Sequence, residues 1–402
     1  MTQEAPARTV VSRRPRRTPA LPSLALAALV AVAAVAVHRA TGRYWGDLTV
    51  YRAGASAAIA GDGRVYGVVL HDVVQGMDMP FTYPPFAALL LAPLAWMGMD
   101  AAIAVWTFCT VLALAAVVWV TLGLLGRFGH RPALTVAGTV LALPMFPVSG
   151  HLQAGQVGLF LMLAVLLDLT GAGERRWRGL GVGVAAGIKL TPLIFVVYLL
   201  VTRRFRAAAT STAVFLATVA IGFAWRPADS SRFWSGAFAD ASRVATDPRM
   251  ICDQSLRAAL ARLTDSASPD TLVWLTAAAV TGAGGLAVAV WATRSGEPLL
   301  GLLACGITGV LVSPVSWHHH WVWAVPALML LADRAWRANS RTGLAVAGLV
   351  WLAFVLSTSF ALARIQGWDL HLHGWMLVYS NLYVLLGLAA LAAVPFYLRA
   401  PR

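Results

Sequence analysis

The chain has 402 residues, 59% of them hydrophobic and only 12% charged, with a mean hydropathy of +0.72. Soluble domains carry about 25% charged residues, so this composition excludes an ordinary soluble protein. Apolar runs long enough to cross a bilayer recur from residue 21 onwards, and the loops between them are short. We therefore predict an all-α polytopic membrane protein that contacts the lipid bilayer.

The net charge of +14 comes from arginine, and Lys189 is the single lysine of the chain. Arginine in short loops between apolar runs is typical of cytoplasmic loops. This pattern argues against binding of nucleic acid, so we expect no nucleic-acid partner. The three cysteines have no spacing that indicates a disulfide framework.

The N-terminal residues 1–18 contain "VSRRPRR" and no apolar periodicity, which predicts a disordered, basic cytoplasmic tail. The run 21–37 resembles either a signal peptide or an uncleaved first span. We favour a span, because many more apolar runs follow it. Residues 19–402 then form a single transmembrane domain.

Twelve apolar segments follow one another along the chain. They are 21–37, 84–98, 101–125, 132–148, 154–171, 179–201, 207–225, 271–293, 298–314, 319–333, 342–363 and 376–398. We take about twelve transmembrane helical segments as the working count.

Basic loops set the predicted orientation. "RRFR" (203–206), "DRAWRANSR" (333–341) and the terminal "RAPR" indicate cytoplasmic positions, with both termini inside. The polar connections 38–83, 226–270 and 364–375 are then outer loops. Twelve full crossings place "ERRWR" (174–178) outside, against the rule. Ten crossings with re-entrant pieces remove that conflict, because 84–98 is short and Pro192 interrupts 179–201.

Two of the outer connections carry helical periodicity. Positions 50, 51, 54 and 58 fall on one face of a helix that follows Asp47. In 226–270, apolar side chains recur at Phe233, Trp234, Ala237, Phe238 and Ala241. Both patterns predict interfacial helices on the outer face of the membrane.

Asp47 is the first candidate for chemistry, since it lies just beyond the first apolar run, with Tyr51 one helical turn later and Arg52 next to it. A carboxylate near the bilayer is costly and is a functional candidate. The alternative is structural, because Asp before "LTVYRAG" is also a good helix N-cap. The residues alone leave both interpretations open.

Lys189 in "GIKLTP" (187–192) is a second candidate, because an ionisable residue in an apolar run is a functional site by default. Its ammonium group suits a lipid phosphate, and the alternative is snorkelling to the interface. Tyr83 in "MPFTYPPF" (79–86) precedes two prolines that begin a helix. Whether Tyr83 also contacts a ligand stays open.

Three consecutive histidines, His318, His319 and His320, stand in "SPVSWHHHWVW" (313–323). Consecutive residues on a helix point about 100° apart, so at most two of them face one site. Histidine suits proton transfer and phosphate contact. Adjacent histidines make a poor chelate, and a simple interfacial aromatic belt is the other alternative.

Two polar stretches are weaker candidates. The loop "RVATDPRMICDQSLRAALARL" (243–263) supplies Arg249, Asp253, Gln254 and Arg257, and it suits a sugar or phosphate as well as it suits solvent. The stretch "GHLQAGQVG" (150–158) contains Gln156 between two apolar segments.

The order of these motifs resembles a known family. An outer-loop acid before "VYRAG" is followed by "TYPPF", "GQVGLFL", "GIKLTPLIFVVYLL" before "RRFR", "DQSL" and "SPVSWHHHWVW". The set, spread over residues 20–400, resembles the actinobacterial polyprenol-phosphate-mannose-dependent α-(1→2)-mannosyltransferases of glycosyltransferase family 87. It is most similar to those that extend phosphatidylinositol mannosides, and the enzymes that branch lipomannan share these motifs.

The resemblance implies a GT-C fold, a polyprenyl-phosphate-mannose donor, a mannolipid acceptor on the outer leaflet of the plasma membrane, and inversion at the anomeric carbon. It assigns the general base to Asp47 and the donor phosphate to Lys189, His319 and His320, with His318 at a variable position. With one acid and no paired carboxylates, we expect neither a metal nor another cofactor.

Six residues are weaker candidates for binding substrate: Tyr51, Arg52, Tyr83, Gln156, Arg249 and Gln254. Asp253 departs from the family pattern, in which we expect "NQSL". Two other functions stay open from the sequence. One is a lipid-sugar flippase, against which the absence of an internal repeat argues. The other is a GT-C transferase for another lipid-linked sugar.

Overall fold

The computed structural model describes residues 45–399, apart from 75–76, 128, 172–176, 245–246 and 357–370, together with residues 28 and 32. The predicted tail 1–18 lies outside the described residues. So do nearly all of the first apolar segment, 21–37, and the greater part of the connection 364–375.

Helices make up nearly all of the regular structure, as the apolar composition predicts. In chain order they are α1 (Gly46–Ala60), α2 (Pro85–Ala95), α3 (Met99–Leu124), α4 (Arg131–Ala142), α5 (Phe146–Ala154), α6 (Gly158–Thr170), α7 (Leu180–Ile188), α8 (Leu193–Val201), α9 (Phe205–Trp225), α10 (Pro227–Arg232), α11 (Leu256–Leu263), α12 (Thr271–Arg294), α13 (Pro298–Val312), α14 (Ala324–Arg337), α15 (Arg341–Val355), α16 (Trp375–Ser380) and α17 (Leu382–Arg399). A 3₁₀ turn, His318–Trp323, precedes α14.

A β-hairpin was not predicted, and it adds two short strands to the helical fold. Strands β1 (Val69–Val74) and β2 (Met77–Pro80) pair antiparallel, with Val69 opposite Pro80. They lie in the polar connection 38–83, where the sequence predicts helical periodicity alone.

Four described helices are long and apolar enough to cross a membrane: α3, α9, α12 and α17. The pair α4 and α5 passes the same test as one unit, bent by 77°. Helices α2, α6, α13 and α15 are apolar but shorter. The structure therefore supports a helical membrane protein and does not confirm a count of about twelve spans.

The predicted span 179–201 folds back on itself. Gly179 lies beside Ala207 near the beginning of α9, and Val201 leads within four residues into Phe205, where α9 begins. Between these points α7 runs alongside α9 in the same direction, as far as the contact of Gly187 with Thr218. Helix α8 then runs back towards the beginning of α9. The apolar segment is therefore a helical hairpin whose two ends share one end of the bundle.

The break at the tip of this hairpin has a local cause. Lys189 has an extended backbone, and Pro192 at the N-cap of α8 has no backbone N–H to continue α7. Because the hairpin begins and ends at the same level, Arg178 and Arg203 lie at one end of the bundle. This removes the conflict that twelve crossings created for the basic stretch 174–178.

The two ends of helix α2 also lie at the same height along the axis of the helical bundle. Pro85 contacts Gly222 near the end of α9, and the carbonyl of Leu94 accepts a hydrogen bond from Arg52 of α1. Helix α1 lies at the same level, because Arg226, which follows α9, donates to the carbonyl of Ala58. The segment 84–98 therefore does not run the length of the bundle.

The two ends of the bundle differ in charge. At one end Arg127 and Arg337 pair with Asp333, and Arg334 pairs with Glu297. We call this the basic end. Helix α14 runs from this end to the 3₁₀ turn that contains the histidines, which lies at the opposite end, together with α1 and α2.

The predicted amphipathic helix after Asp47 is present, but its apolar face packs inside the protein. Val50, Tyr51 and Ala58 are buried, and the Gly54 backbone lies against the ring of Phe81. The apolar face that the sequence predicted for the bilayer surface therefore contacts the protein instead. The second aromatic stretch forms a five-residue π-helix, Phe233–Ala237, instead of a regular α-helix.

Candidate active site

Five segments that are distant in the sequence meet at the end of the bundle opposite the basic end. They are the first turns of α1, the loop before α2, the residue pair after α5, the tip of the α7–α8 hairpin and the 3₁₀ turn before α14. They contribute the predicted candidates Asp47, Tyr51, Tyr83, Gln156, Lys189 and His320.

Gln156 connects two tyrosines at the centre of the site. The hydroxyl of Tyr51 lies 2.8 Å from that of Tyr83, and each hydroxyl donates to Oε1 of Gln156 over 3.1 Å. All three side chains are buried. Burial also raises the pKa of both tyrosines, which keeps the phenols protonated as hydrogen-bond donors.

Lys189 extends this cluster towards the histidines. Its Nζ donates to the Tyr83 hydroxyl over 3.3 Å, lies 2.9 Å from Nε2 of His320, and sits 5.2 Å from the centre of the Tyr83 ring. An ammonium group only donates, so Nε2 of His320 accepts and the ring proton of this neutral imidazole is on Nδ1. Hydrogen bonds and a cation–π contact thus hold Lys189, and no carboxylate of the described residues lies within ion-pair distance of it.

Asp47 lies in the first turn of α1, where a negative charge is favoured by the helix dipole. The N-cap of α1 is Trp45, so the alternative interpretation of Asp47 as the cap is wrong. The Gln156 amide group lies beside the Asp47 carboxylate and favours its ionised form. Burial raises the pKa of Asp47 from 3.8 to about 6, against the opposing effects of the Gln156 hydrogen bond and the Lys189 charge.

A glycine explains why Gln156 reaches Asp47. Gly155 ends α5 in the left-handed conformation, with φ of +75°, which favours glycine. A Cβ at this position would lie 2.7 Å from Cβ of Leu48. The chain therefore turns sharply against α1, and the next side chain, Gln156, lies next to Asp47.

The three histidines point in different directions, as their spacing predicts. His318 stacks on Phe146 with ring centres 4.2 Å apart, and His320 contacts Lys189. His319 is buried, and within the described part of the chain neither of its ring nitrogens has a hydrogen-bond partner. Both ring nitrogens of His319 are therefore left to bind a further molecule, whereas His151 and His318 each have an unpartnered Nδ1 only.

A groove begins beside Lys189 and His320 and runs between α6, α8, α13 and the 3₁₀ turn. Its cavity volume is about 60 Å³, and it is partly open to the surroundings. Its polar lining residues are Lys189, Thr191, Ser313, Ser316 and His320. The rest of the lining is apolar or glycine and includes Met162, Ile194, Phe195, Val310 and Trp323. The groove suits a long apolar chain with an anionic head.

Three predicted substrate-binding residues make their contacts outside the cluster around Lys189. Arg52 donates to the carbonyls of Leu94 and Met97, where α2 ends. Arg249 forms ion pairs with Asp247 and Asp265.

Gln254 is buried, and its amide nitrogen donates to the carbonyls of Ile251 and Ser380. The structure therefore does not bring Arg52, Arg249 and Gln254 into the cluster around Lys189. Each satisfies the protein's own backbone or carboxylate groups, a use that the sequence does not distinguish from ligand binding.

From the sequence, Gln156 is a weak candidate, and His151 is a member of the same polar stretch without an assigned role. His151 is buried in α5, its ring centre is 6.4 Å from that of His319, and its Nε2 accepts from the backbone of Leu159. Its place in the polar island 150–158 was the available signal. In the described segments no three His, Cys, Asp or Glu side chains lie close enough to hold a metal ion.

The arrangement combines two chemical capacities. Asp47, with its raised pKa, accepts a proton near neutral pH. Lys189 and His320 offer a positive charge and hydrogen-bond donors at the mouth of an apolar groove. A carboxylate base beside an anion-binding cation suits a displacement in which a hydroxyl attacks and an anion leaves.

Comparisons with known proteins agree with this chemistry. Residues 81–314 match glycosyltransferase family 87. The chain is 34% identical over 312 residues to the polyprenol-phosphate-mannose-dependent alpha-(1-2)-phosphatidylinositol mannoside mannosyltransferase of Mycobacterium tuberculosis, covering 73% of this chain and 71% of the relative.

Relatives named for a pentamannoside are equally similar. The polyprenol-phosphate-mannose-dependent alpha-(1-2)-phosphatidylinositol pentamannoside mannosyltransferase of M. tuberculosis is 35% identical over 86% of this chain and 80% of its own length. The protein of the same name from Mycolicibacterium smegmatis is 34% identical over 87% of this chain and 85% of its own length. No solved structure matches the chain.

Proposed function

The chain belongs to glycosyltransferase family 87, and from this membership we propose that it moves mannose from polyprenyl-phosphate-mannose to a mannolipid. The acceptor is a phosphatidylinositol mannoside or lipomannan, and the new linkage is α-1,2. The names of the relatives support the donor and a phosphatidylinositol mannoside acceptor. They divide between two acceptors, so the length of the acceptor's mannose chain stays open.

One observation carries the mechanism: Lys189 bonds to His320 and Tyr83 at the mouth of an apolar groove, with Asp47 connected to the same cluster through Gln156. The groove takes the polyprenyl chain, which places the donor phosphate beside Lys189. The sugar then lies between the phosphate and Asp47. His319 and His320 add hydrogen bonds to the phosphate oxygens.

Asp47 acts as the general base. As the acceptor hydroxyl oxygen attacks the anomeric carbon of mannose, its proton moves to the Asp47 carboxylate. The bond between the anomeric carbon and the phosphate oxygen breaks, and the electron pair leaves with polyprenyl phosphate. Attack opposite the leaving group inverts the anomeric carbon, so a β-linked donor gives an α-linked product.

Lys189 stabilises the charge that develops on the departing phosphate. Its direct partners are neutral, since Tyr83 keeps its proton and His320 accepts through Nε2. The positive charge of Lys189 is therefore not cancelled by a contacting carboxylate.

The charge of the two ends supports an orientation in the plasma membrane. Arginines at the basic end, among them Arg127, Arg203 and Arg334, favour a cytoplasmic position for that end. The site then faces the outer leaflet, and both termini are cytoplasmic. With 84–98 and 179–201 not crossing, ten crossings remain of the twelve predicted segments.

A transfer assay with purified protein in liposomes tests the proposal. The protein is incubated with polyprenyl phosphates carrying mannose, arabinose or glucose, and with phosphatidylinositol mannosides as acceptors. We expect transfer from the mannose donor alone, with an α-1,2 linkage in the product. Movement of labelled donor lipid across the liposome without sugar transfer would contradict the proposal and favour a flippase, and transfer of another sugar would contradict the donor.

A further inference from the structure

The "DQSL" segment runs beside the histidine segment and not beside the groove. Residues 252–254 and 316–318 form a short antiparallel pairing in which Asp253 lies opposite Trp317. The backbone N–H of Gln254 donates to the Ser316 carbonyl over 2.7 Å, and that of His318 donates to the Cys252 carbonyl over 2.9 Å. This pairing fixes the backbone immediately before His319 and His320.

The Asp253 side chain adds a further bond to the same segment. Its Oδ1 accepts from the backbone N–H of Ser316 over 2.9 Å and from that of Ser255 over 3.1 Å. The residue is fully buried. A carboxylate enclosed in this way has no path to a sugar or a phosphate, but it satisfies two backbone donors that burial would otherwise leave unpaired.

We call the pairing of residues 252–254 with 316–318, together with the Asp253 bonds, the anchor. The residues that follow Asp253 connect this anchor to two further elements. Ser255 caps α11, with its hydroxyl oxygen accepting from the N–H of Ala258 over 3.1 Å. Two turns later, buried Arg262 donates through Nη1 to the Asp253 carbonyl over 2.9 Å and through Nη2 to Oδ1 of Asn381 over 2.8 Å. The segment that holds the histidines is therefore itself held by α11 and by the start of α17.

We propose that Asp253 is a positioning residue that acts through His320. It holds the backbone at Ser316, four residues before His320, so that the His320 imidazole meets the Lys189 ammonium group. This inference rests on the proposed function, in which Lys189 and His320 contact the donor phosphate. Asparagine, which also presents an Oδ1 acceptor, fulfils the same role at this position.

Two substitutions test whether Asp253 acts through its Oδ1 acceptor atom or through its negative charge. Asp253→Asn retains Oδ1 and removes the charge, so we expect kcat/KM for the donor to stay within about threefold of wild type. Asp253→Leu branches at the same atom but offers no acceptor, so it leaves both backbone donors unpaired, and we expect kcat/KM to fall about 10- to 100-fold. If the leucine variant does not fold, Asp253→Ser, which is polar but too short to reach Ser316, replaces it.

A double-mutant cycle separates positioning from general destabilisation. If Asp253 acts through His320, Asp253→Leu combined with His320→Ala loses no more activity than His320→Ala alone. The matched control is Asp333→Asn, which breaks an ion pair at the basic end, about 15 Å along α14. It lowers thermal stability, and its losses multiply with those of His320→Ala.

The outcomes are distinguishable. An Asp253→Asn variant that is as inactive as Asp253→Leu would overturn the proposal, because the charge and not the acceptor atom would then matter. Losses that multiply in the Asp253–His320 cycle would also overturn it and leave the proposed function intact. A His320→Ala variant with wild-type kinetics would instead remove the assigned role of His320, and the positioning proposal with it.

Discussion

Nζ of Lys189 lies 2.9 Å from Nε2 of His320, although the two residues are 131 positions apart in the chain. The contact joins the tip of a helical hairpin to the turn that begins α14. It brings together the single lysine of the sequence and the last of three consecutive histidines. The predictions below follow from this contact, from Asp47 and from the groove beside them.

Replacement of Lys189 should impair transfer more than binding. We expect Lys189→Met to lower kcat about 10²- to 10³-fold, because the charge on the leaving phosphate is no longer neutralised. Lys189→Arg should recover little, since a planar guanidinium group does not reproduce the contacts of the compact ammonium group with Tyr83 and His320. Initial rates of mannose transfer measure both, with Arg203→Met at the basic end as the control. A Lys189→Met variant with normal kcat would remove Lys189 from the mechanism.

The pH dependence of transfer should report Asp47. A general base must be deprotonated, and the pKa of Asp47 is raised to about 6. We therefore expect kcat/KM to fall about tenfold per pH unit below pH 6 and to level off above it. The measurement is a pH profile in liposomes between pH 4.5 and 8, with folding checked at each pH. A flat profile through pH 6, in protein that stays folded, contradicts Asp47 as the base.

Asp47→Asn should stabilise the protein while it abolishes transfer. Because the folded-state pKa of this acid is raised, its stabilising contribution is complete below pH 3.8 and is lost as the pH rises through about 6. At pH 7.5 the ionised carboxylate lowers the free energy of unfolding by at most about 3 kcal/mol. Removal of the charge should therefore raise the melting temperature in detergent at pH 7.5, and should change it little at pH 4. A lower melting temperature at pH 7.5 would show that the Gln156 hydrogen bond outweighs the cost of burial.

A bulky side chain in the groove should discriminate donors by the length of their lipid. Thr191 is exposed and lines the groove beside Lys189. We expect Thr191→Trp to raise KM about tenfold for a long polyprenyl donor and to have little effect on a donor with a short, water-soluble chain. Thr264→Trp, at another exposed threonine, is the matched control. Equal increases in KM for both donors would indicate that the polyprenyl chain binds elsewhere.

For Arg249 the sequence and the structure predict different results. If Arg249 bound substrate, Arg249→Gln would raise KM for the donor or the acceptor. Its partners are Asp247 and Asp265, and such ion pairs near the surface contribute about 0–1 kcal/mol. We therefore expect unchanged kcat and KM, together with a small loss of thermal stability. A large increase in either KM would restore Arg249 as a binding residue.

The sequence predicted much of the cluster, because ionisable residues are rare in apolar segments. Lys189 in an apolar run, Asp47 beside another and consecutive histidines at a third are chemically unusual wherever the chain folds, and the structure brings all three regions together. Tyr83 and Gln156 lay in motifs whose order resembles the family. Composition and periodicity likewise predicted a helical membrane protein.

The path of the chain through the bundle was harder to predict from the sequence. The segment 179–201 is long enough to cross a bilayer, and Pro192 indicates a break without fixing the direction that follows it. The direction depends on packing of Gly183 and Gly187 against α9, which involves residues far away in the sequence. Arg52 and Gln254 were assigned to substrate because a polar side chain in an outer loop looks the same whether it binds a ligand or a backbone carbonyl.

The anchor around Asp253 has a consequence for biogenesis. Gln254 and Arg262 take their partners from Ser380 and Asn381, which are synthesised after the histidine segment. Until those residues are inserted, the histidine segment has only part of its support, while Lys189 is already in place on its hairpin. A nascent chain therefore contains the leaving-group cation before it can orient the imidazole beside it. A chain that ends before Ser380 therefore lacks these contacts to the histidine segment, although it already contains Lys189.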